Sequence, residues 1–131
     1  MRRCIALPLL CLLPLISSAR ASRHGIRVAK PEYSQALAAA NRFLSAWQAQ
    51  DHETGITMLS DSARQHASRD RLQEFFSPGP QAAFEIRHGW RSKSGAYVFP
   101  VVLFGSDFRA RPCKVVISKA GADGWAVSKL P

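Results

Sequence analysis

Long apolar runs are scarce in this chain of 131 residues. A membrane-spanning helix needs about 20 consecutive apolar residues. The longest candidate, Cys4 to Ile16, has thirteen and is broken by Pro8 and Pro14, so no permanent membrane anchor is expected. Cysteine is scarce too, with Cys4, Cys11 and Cys113 making up the whole set. Neither His-Glu-x-x-His nor Cys-x-x-Cys occurs, nor an acidic loop of calcium spacing, and no metal site is predicted. A Gly-rich phosphate cradle and a Gly-x-Ser-x-Gly elbow are both missing, which removes nucleotide-cradling and serine-hydrolase chemistry of those kinds. No cofactor is expected. Acidic residues number nine against eighteen Lys and Arg, a net charge of +9, yet no basic run reaches five residues. With 47% hydrophobic and 21% charged residues the chain is neither a disordered polyelectrolyte nor a polytopic membrane protein.

What the N-terminus does contain is an export pattern. Met1-Arg2-Arg3 supplies a positive start, Cys4 to Ile16 an apolar stretch, and Ala19-Arg20-Ala21 a small-x-small cleavage pattern. Residues 1–21 therefore read as a secretory signal, with cleavage after Ala21 or, by Ser17-Ser18-Ala19, after Ala19. The expected destination is the periplasm or the medium. Leu10 stands before Cys11 where bacterial lipidation needs a small residue, so lipid attachment is not expected. Removing Arg2, Arg3 and Arg20 leaves fifteen Lys and Arg against nine Asp and Glu, a net charge of +6. That excess weakly attracts phosphate, anionic lipid or acidic polysaccharide. It also leaves Cys113 alone, so no internal disulfide can form and the domain must stand on its core. Cys113 reads as a buried small hydrophobe.

Residues 22–31 are polar and basic and read as a flexible lead-in to one domain over 32–131. Pro31 suits a first helical turn, and Ala36, Leu37, Ala40, Phe43, Leu44 and Trp47 recur at helical spacing opposite Gln35, Arg42 and Ser45. A second helix is predicted over Glu53 to Gln65 with Ile56, Leu59 and Ala63 on one face. Ser68 caps a third that carries Leu72, Phe75 and Phe76 and is ended by Ser77-Pro78-Gly79-Pro80. The period then becomes two. Phe84, Ile86, His88 and Trp90 share one face of a first strand, opposite Glu85, Arg87 and Arg91. Ala96 to Phe104 is apolar on both faces, with Pro100 inside it implying a bulge or bend. Strands over Phe108 to Lys119 and Trp125 to Leu130 complete four hairpin-linked strands. Helices followed by strands make an α+β class, with N-terminal helices packed on a curved antiparallel four-stranded sheet. The two-sided apolarity of residues 96–104 calls for cover on the second face, and a homodimer through the sheet face supplies it.

The Phe43-Leu44-x-x-Trp47 stripe, the Ile56-x-x-Leu59-Ser60 segment, the helix at Asp70–Phe76 and the closing Asp123-Gly124-Trp125-x-Val127 come in a distinctive order. In this the chain resembles the nuclear transport factor 2-like, or cystatin-like cone, superfamily over roughly residues 32–131. The resemblance implies a pocket between helices and sheet, and relatives that include small exported domains of no assigned reaction. It implies ligand-binding roles for Trp47, His88, Trp90 and Tyr97; Tyr33 and Tyr97 could donate to a ligand, but each reads first as a core or rim residue. The leading expectation is an exported, non-catalytic domain that binds a small ligand or an envelope partner through its pocket or sheet face. One alternative is a small lyase or isomerase of the polyketide cyclase or ketosteroid isomerase type, with His88 as the base because histidine titrates near neutrality. Another is a basic module on anionic envelope polymers. Asp61 and His66 lie five residues apart and read as solvated. No nucleic acid partner is expected: the rings of Phe84, Trp90, Tyr97 and Phe99 are needed for the core.

Overall fold

Pro31 occupies the first position of helix α1 (Pro31–Gln48), where its missing N–H has no intrahelical partner to lose, and Glu32 lies in the positive first turn. We describe residues 30–122 and 124–131 from a computed structural model. The export signal and residues 22–29 of the lead-in lie outside the described residues. Along α1 the buried stripe is Ala36, Ala39, Ala40, Phe43, Leu44 and Trp47, while Gln35, Arg42 and Ser45 face solvent. Small alanines early in the stripe bring the helix close to the sheet, and Phe43 and Trp47 fill the wider space beyond. Gln50, with φ 56°, takes the left-handed position after the helix and ends it.

The helix predicted over Glu53–Gln65 is two helices, α2 (His52–Thr57) and α3 (Asp61–His66). Between them Leu59 forms a parallel bridge with Val127: Val127 N–H donates to the Met58 carbonyl and Ser60 N–H to the Val127 carbonyl, both at 2.9 Å. Met58, closing α2, still has helical dihedrals, but Ser60 is extended (φ −63°, ψ 159°), and it then starts a new helix by accepting from Ala63 N–H at 3.1 Å. Asp51 caps α2 through Thr54 N–H, and Ser68 caps α4 (Arg69–Phe75) through Arg71 N–H.

Five strand segments form one antiparallel sheet: β1 (Ala83–Ile86), β2 (Trp90–Arg91), β3 (Tyr97–Phe104), β4 (Ala110–Ala120) and β5 (Gly124–Lys129). The order is β1-β3-β4-β5, with β2 also paired to β3. Because β4 takes the other side of β3, β1 and β2 share one lane. The sheet is thus four lanes wide, with the predicted first strand cut in two. Ile86 pairs with Val101 and Trp90 with Val98, so the β1–β2 lane holds one residue more than β3 there, a bulge over 87–89. Pro100 explains it. Its carbonyl accepts from Arg87 N–H at 2.9 Å, so its nitrogen faces the same lane and has no hydrogen to return. The β3–β4 ladder passes Pro100 without a shift of register. The irregularity that Pro100 implies sits in the neighbouring lane.

The core lies between α1 and the inner face of the sheet. Tyr97, Phe99, Val101 and Leu103 of β3 and Val115 and Ile117 of β4 are buried there against Phe43, Leu44 and Trp47. Phe75 and Phe76 close the helical side, with ring centroids 5.9 and 5.7 Å from that of Phe43. Among the described residues no helix is long and apolar enough to cross a membrane.

Candidate functional site

Of the four residues marked as ligand-binding, two are buried and two are exposed. Trp47 is 2% exposed and packs against Phe75; Tyr97 is 3% exposed and meets Tyr33 and Trp125 edge-on. Tyr33 and Trp47 are fourteen positions apart on α1, about 21 Å at the helical rise. Trp47 and Tyr97 therefore mark opposite ends of the core and do not share a pocket. His88 and Trp90 lie on the surface, contrary to the expectation of one inward face with Ile86. Phe84 and Ile86 pair with the inward Leu103 and Val101, whereas Trp90, beyond the bulge, pairs with the outward Val98. The extra residue flips the alternation. Trp90 is 47% exposed, and the Lys114 ammonium lies 5.8 Å from its ring.

At the N-terminal end of α1 the polar groups satisfy one another. The Tyr33 hydroxyl accepts from Gly89 N–H at 3.2 Å and lies 3.3 Å from His88 Nδ1. Glu32 is bracketed by Lys119 at 3.3 Å and Arg91 at 3.7 Å. Lys119 also sits over Trp125, whose indole N–H donates to Gln35 Oε1 at 3.2 Å. This end latches helix to sheet. Beside it runs an open apolar groove of about 500 Å³ between α1 and β1, walled by Tyr33, Leu37, Phe84 and Ile86. It contains no second titratable group beside Tyr33, and His88 is outside its walls. Asp61 and His66 are exposed, Asp61 pairing with Arg64 and His66 with Ser62.

At the other end, α4 and the turn between β3 and β4 enclose a pocket of about 440 Å³. Its apolar wall is Trp47, Phe75 and Leu103, and its charged groups are Glu74, Asp107, Arg109 and Arg111. Asp107 pairs with Arg109 at 3.8 Å, while Arg111 has no ion-pair partner among the described residues. Cys113, two residues on, is half-buried. Burial pushes its thiol above the usual range, and the Arg111 charge pulls partly back. Sequence reasoning found Trp47 and missed the rest. The available signal was Arg109-Ala-Arg111, which returns from one turn opposite the Ser77-Pro78 helix end.

The outer sheet face is apolar along β3. Val98, Pro100, Val102 and Phe104 alternate with the buried set and remain half-exposed, with Val116 beside Val98 and Pro112 beside Val102. Glu85 pairs with Val102 and Lys114 with Pro100, so this face carries both signs of charge.

No family model matches the chain, and no curated protein matches it. Among solved structures it is similar to a ketosteroid isomerase-like protein from Erwinia carotovora atroseptica SCRI1043, with a TM-score of 0.55 and 16% identity. The match covers 77% of this chain and 94% of that one. At that identity the likeness establishes the fold: helices on a curved antiparallel sheet, the cone architecture.

Proposed function

We propose that this chain is an exported, non-catalytic binding domain of the cone fold, and that it works as a pair of copies joined through the outer sheet face. One observation carries the reading: β3 is apolar on both sides, and its second side, Val98, Pro100, Val102 and Phe104, stays half-exposed, with no element of the described residues packed over it. A strand covered on one face alone alternates apolar with polar. A face with Glu85 and Lys114 beside one apolar strip suits its own copy, because a two-fold pairing must be self-complementary. The absence of catalysis is supported by the position of His88. It sits on the surface with Tyr33 as its polar neighbour, while the interior where an acid/base pair would work is filled by Phe43, Trp47 and Phe99.

The test is light scattering after size exclusion on residues 22–131 and on Val102→Glu. A dimer at micromolar concentration that becomes monomeric in the variant, with unchanged circular dichroism, supports the reading. A wild-type monomer at those concentrations overturns it.

A further inference from the structure

The sheet edge beside α1 leaves apolar surface uncovered among the described residues. Leu37 of α1 and Phe84 and Ile86 of β1 pack against the core yet stay half-exposed, and with Tyr33 they wall the open groove of about 500 Å³. The groove extends from Tyr33 to Asn41, about 12 Å at the helical rise. β1 runs against the direction of α1. Gln48, at the end of the helix, donates to the Ala82 carbonyl, and Tyr33, near its start, accepts from Gly89 N–H. β1 is also in the outermost lane of the sheet. Arg87 N–H bonds the Pro100 carbonyl opposite it, so by alternation the backbone N–H and C=O of Phe84 and Ile86 turn to the free edge. Apolar walls beside an unpaired strand edge call for an extended segment as cover.

We propose that the occupant is this chain's own lead-in, residues 22–29, folded back along α1 with Ile26 on Leu37 and Ile86 and Val28 on Tyr33. The lead-in joins at the matching end of the groove. Pro31 keeps Lys30 out of the helical region, and Lys30 has φ −56° and ψ 136°, so the chain before it leaves the helix axis one turn from Tyr33. The reach agrees. Leu37 is seven positions after Lys30, about 10 Å up the helix, and Ile26 is four positions before it, about 13 Å in extended chain. Val28, two positions before Lys30, spans about 7 Å and comes level with Tyr33 and Ser34. The pattern agrees too. Ile26-Arg27-Val28 alternates, so an extended segment puts both apolar side chains inward and Arg27 in water. The groove walls carry no charged side chain, which suits that apolar pair. A short tether also holds the segment at an effective concentration of about a millimolar, ahead of any dilute competitor. The groove is then a seat for the lead-in and is closed to other apolar ligands.

The test is NMR on residues 22–131 with labelled Ile, Leu and Val methyl groups and Tyr rings. The expected result is nuclear Overhauser contacts from Ile26 to the Leu37 and Ile86 methyls and from Val28 to the Tyr33 ring. Ile26→Asp combined with Val28→Asp moves the Leu37 and Ile86 signals and lowers the melting temperature by about 4 °C or more, while Arg27→Ser changes neither. A protein without contacts from Ile26 and Val28 to the groove overturns the proposal. So do groove signals and a melting temperature unmoved by the double variant, or contacts that pass only between copies in a mixture of labelled and unlabelled chains. The sheet-face test reads the oligomeric state alone, so either proposal can fail without the other.

Discussion

Gly55 looks replaceable in the sequence. It lies within a helix, and alanine there is ordinarily worth about 1 kcal/mol over glycine. The packing reverses that preference. A Cβ on Gly55 would fall 2.2 Å from Cε1 and 2.3 Å from Cζ of Phe76, a ring with no exposed surface that is wedged against Phe43 and Phe75. Neither ring nor helix can yield without opening the aromatic cluster. Gly55→Ala should therefore destabilise the domain by about 1–3 kcal/mol in urea unfolding. A stabilised variant would show that Phe76 is not held where it is placed here. Gly89 is confined in the same way, with Phe99 Cδ1 at 2.4 Å and the Val98 carbonyl oxygen at 2.6 Å from the position of its Cβ. Nothing local distinguishes either glycine from a casual one. The partners that make them necessary are 9 to 21 positions away in the chain.

Elements begin where the sequence puts short polar side chains. Asp51, Ser60 and Ser68 each accept from the backbone three residues on and so open α2, α3 and α4. Hydrogen bonds from Thr54, its side chain first and then its backbone, hold the Asp51 carboxyl below its ordinary value of 3.8. A depressed folded-state value means that the ionised cap stabilises the fold above the unfolded value, and that this is lost as the pH falls through 3.8 and below. Asp51→Ala should accordingly lower the melting temperature near neutrality, with the gap to wild type closing in that acid range. A gap that is constant with pH would exclude the carboxylate as its source. Where elements end is less local. Residues 53–65 carry a continuous helical pattern, yet the bridge to Val127 breaks it, and Val127 lies more than 60 positions downstream. The split of β1 from β2 has a partly legible cause, since Pro100 announced an irregularity. The affected lane was decided by which side its nitrogen faced.

At the scale of the whole molecule, one leading helix and three short ones gather on one side of the sheet, and among the described residues the other side stays half-exposed along β3. That asymmetry ties the proposed pairing to the proposed export, because an exported domain with Cys113 as its sole remaining thiol has no internal staple. If residues 1–21 are a signal, the secreted protein should start at Ser22, or at Arg20 after the upstream cleavage, by intact mass. A product from a secreting host that retains Met1 and the apolar stretch would refute the export reading. The α+β class, the span of α1, the cap at Ser68 and the double-sided β3 were readable from the residues alone, because periodicity and capping act over a few positions. The exposure of His88 and Trp90 was not readable, since one added residue in a strand reverses every side chain after it and only pairing with β3 reveals the addition. Nor was the pocket beside Trp47 readable. Its walls come from α1, α4 and the two strands around a turn, and only the closure of the helices onto the sheet brings Trp47 and Arg111 to one pocket.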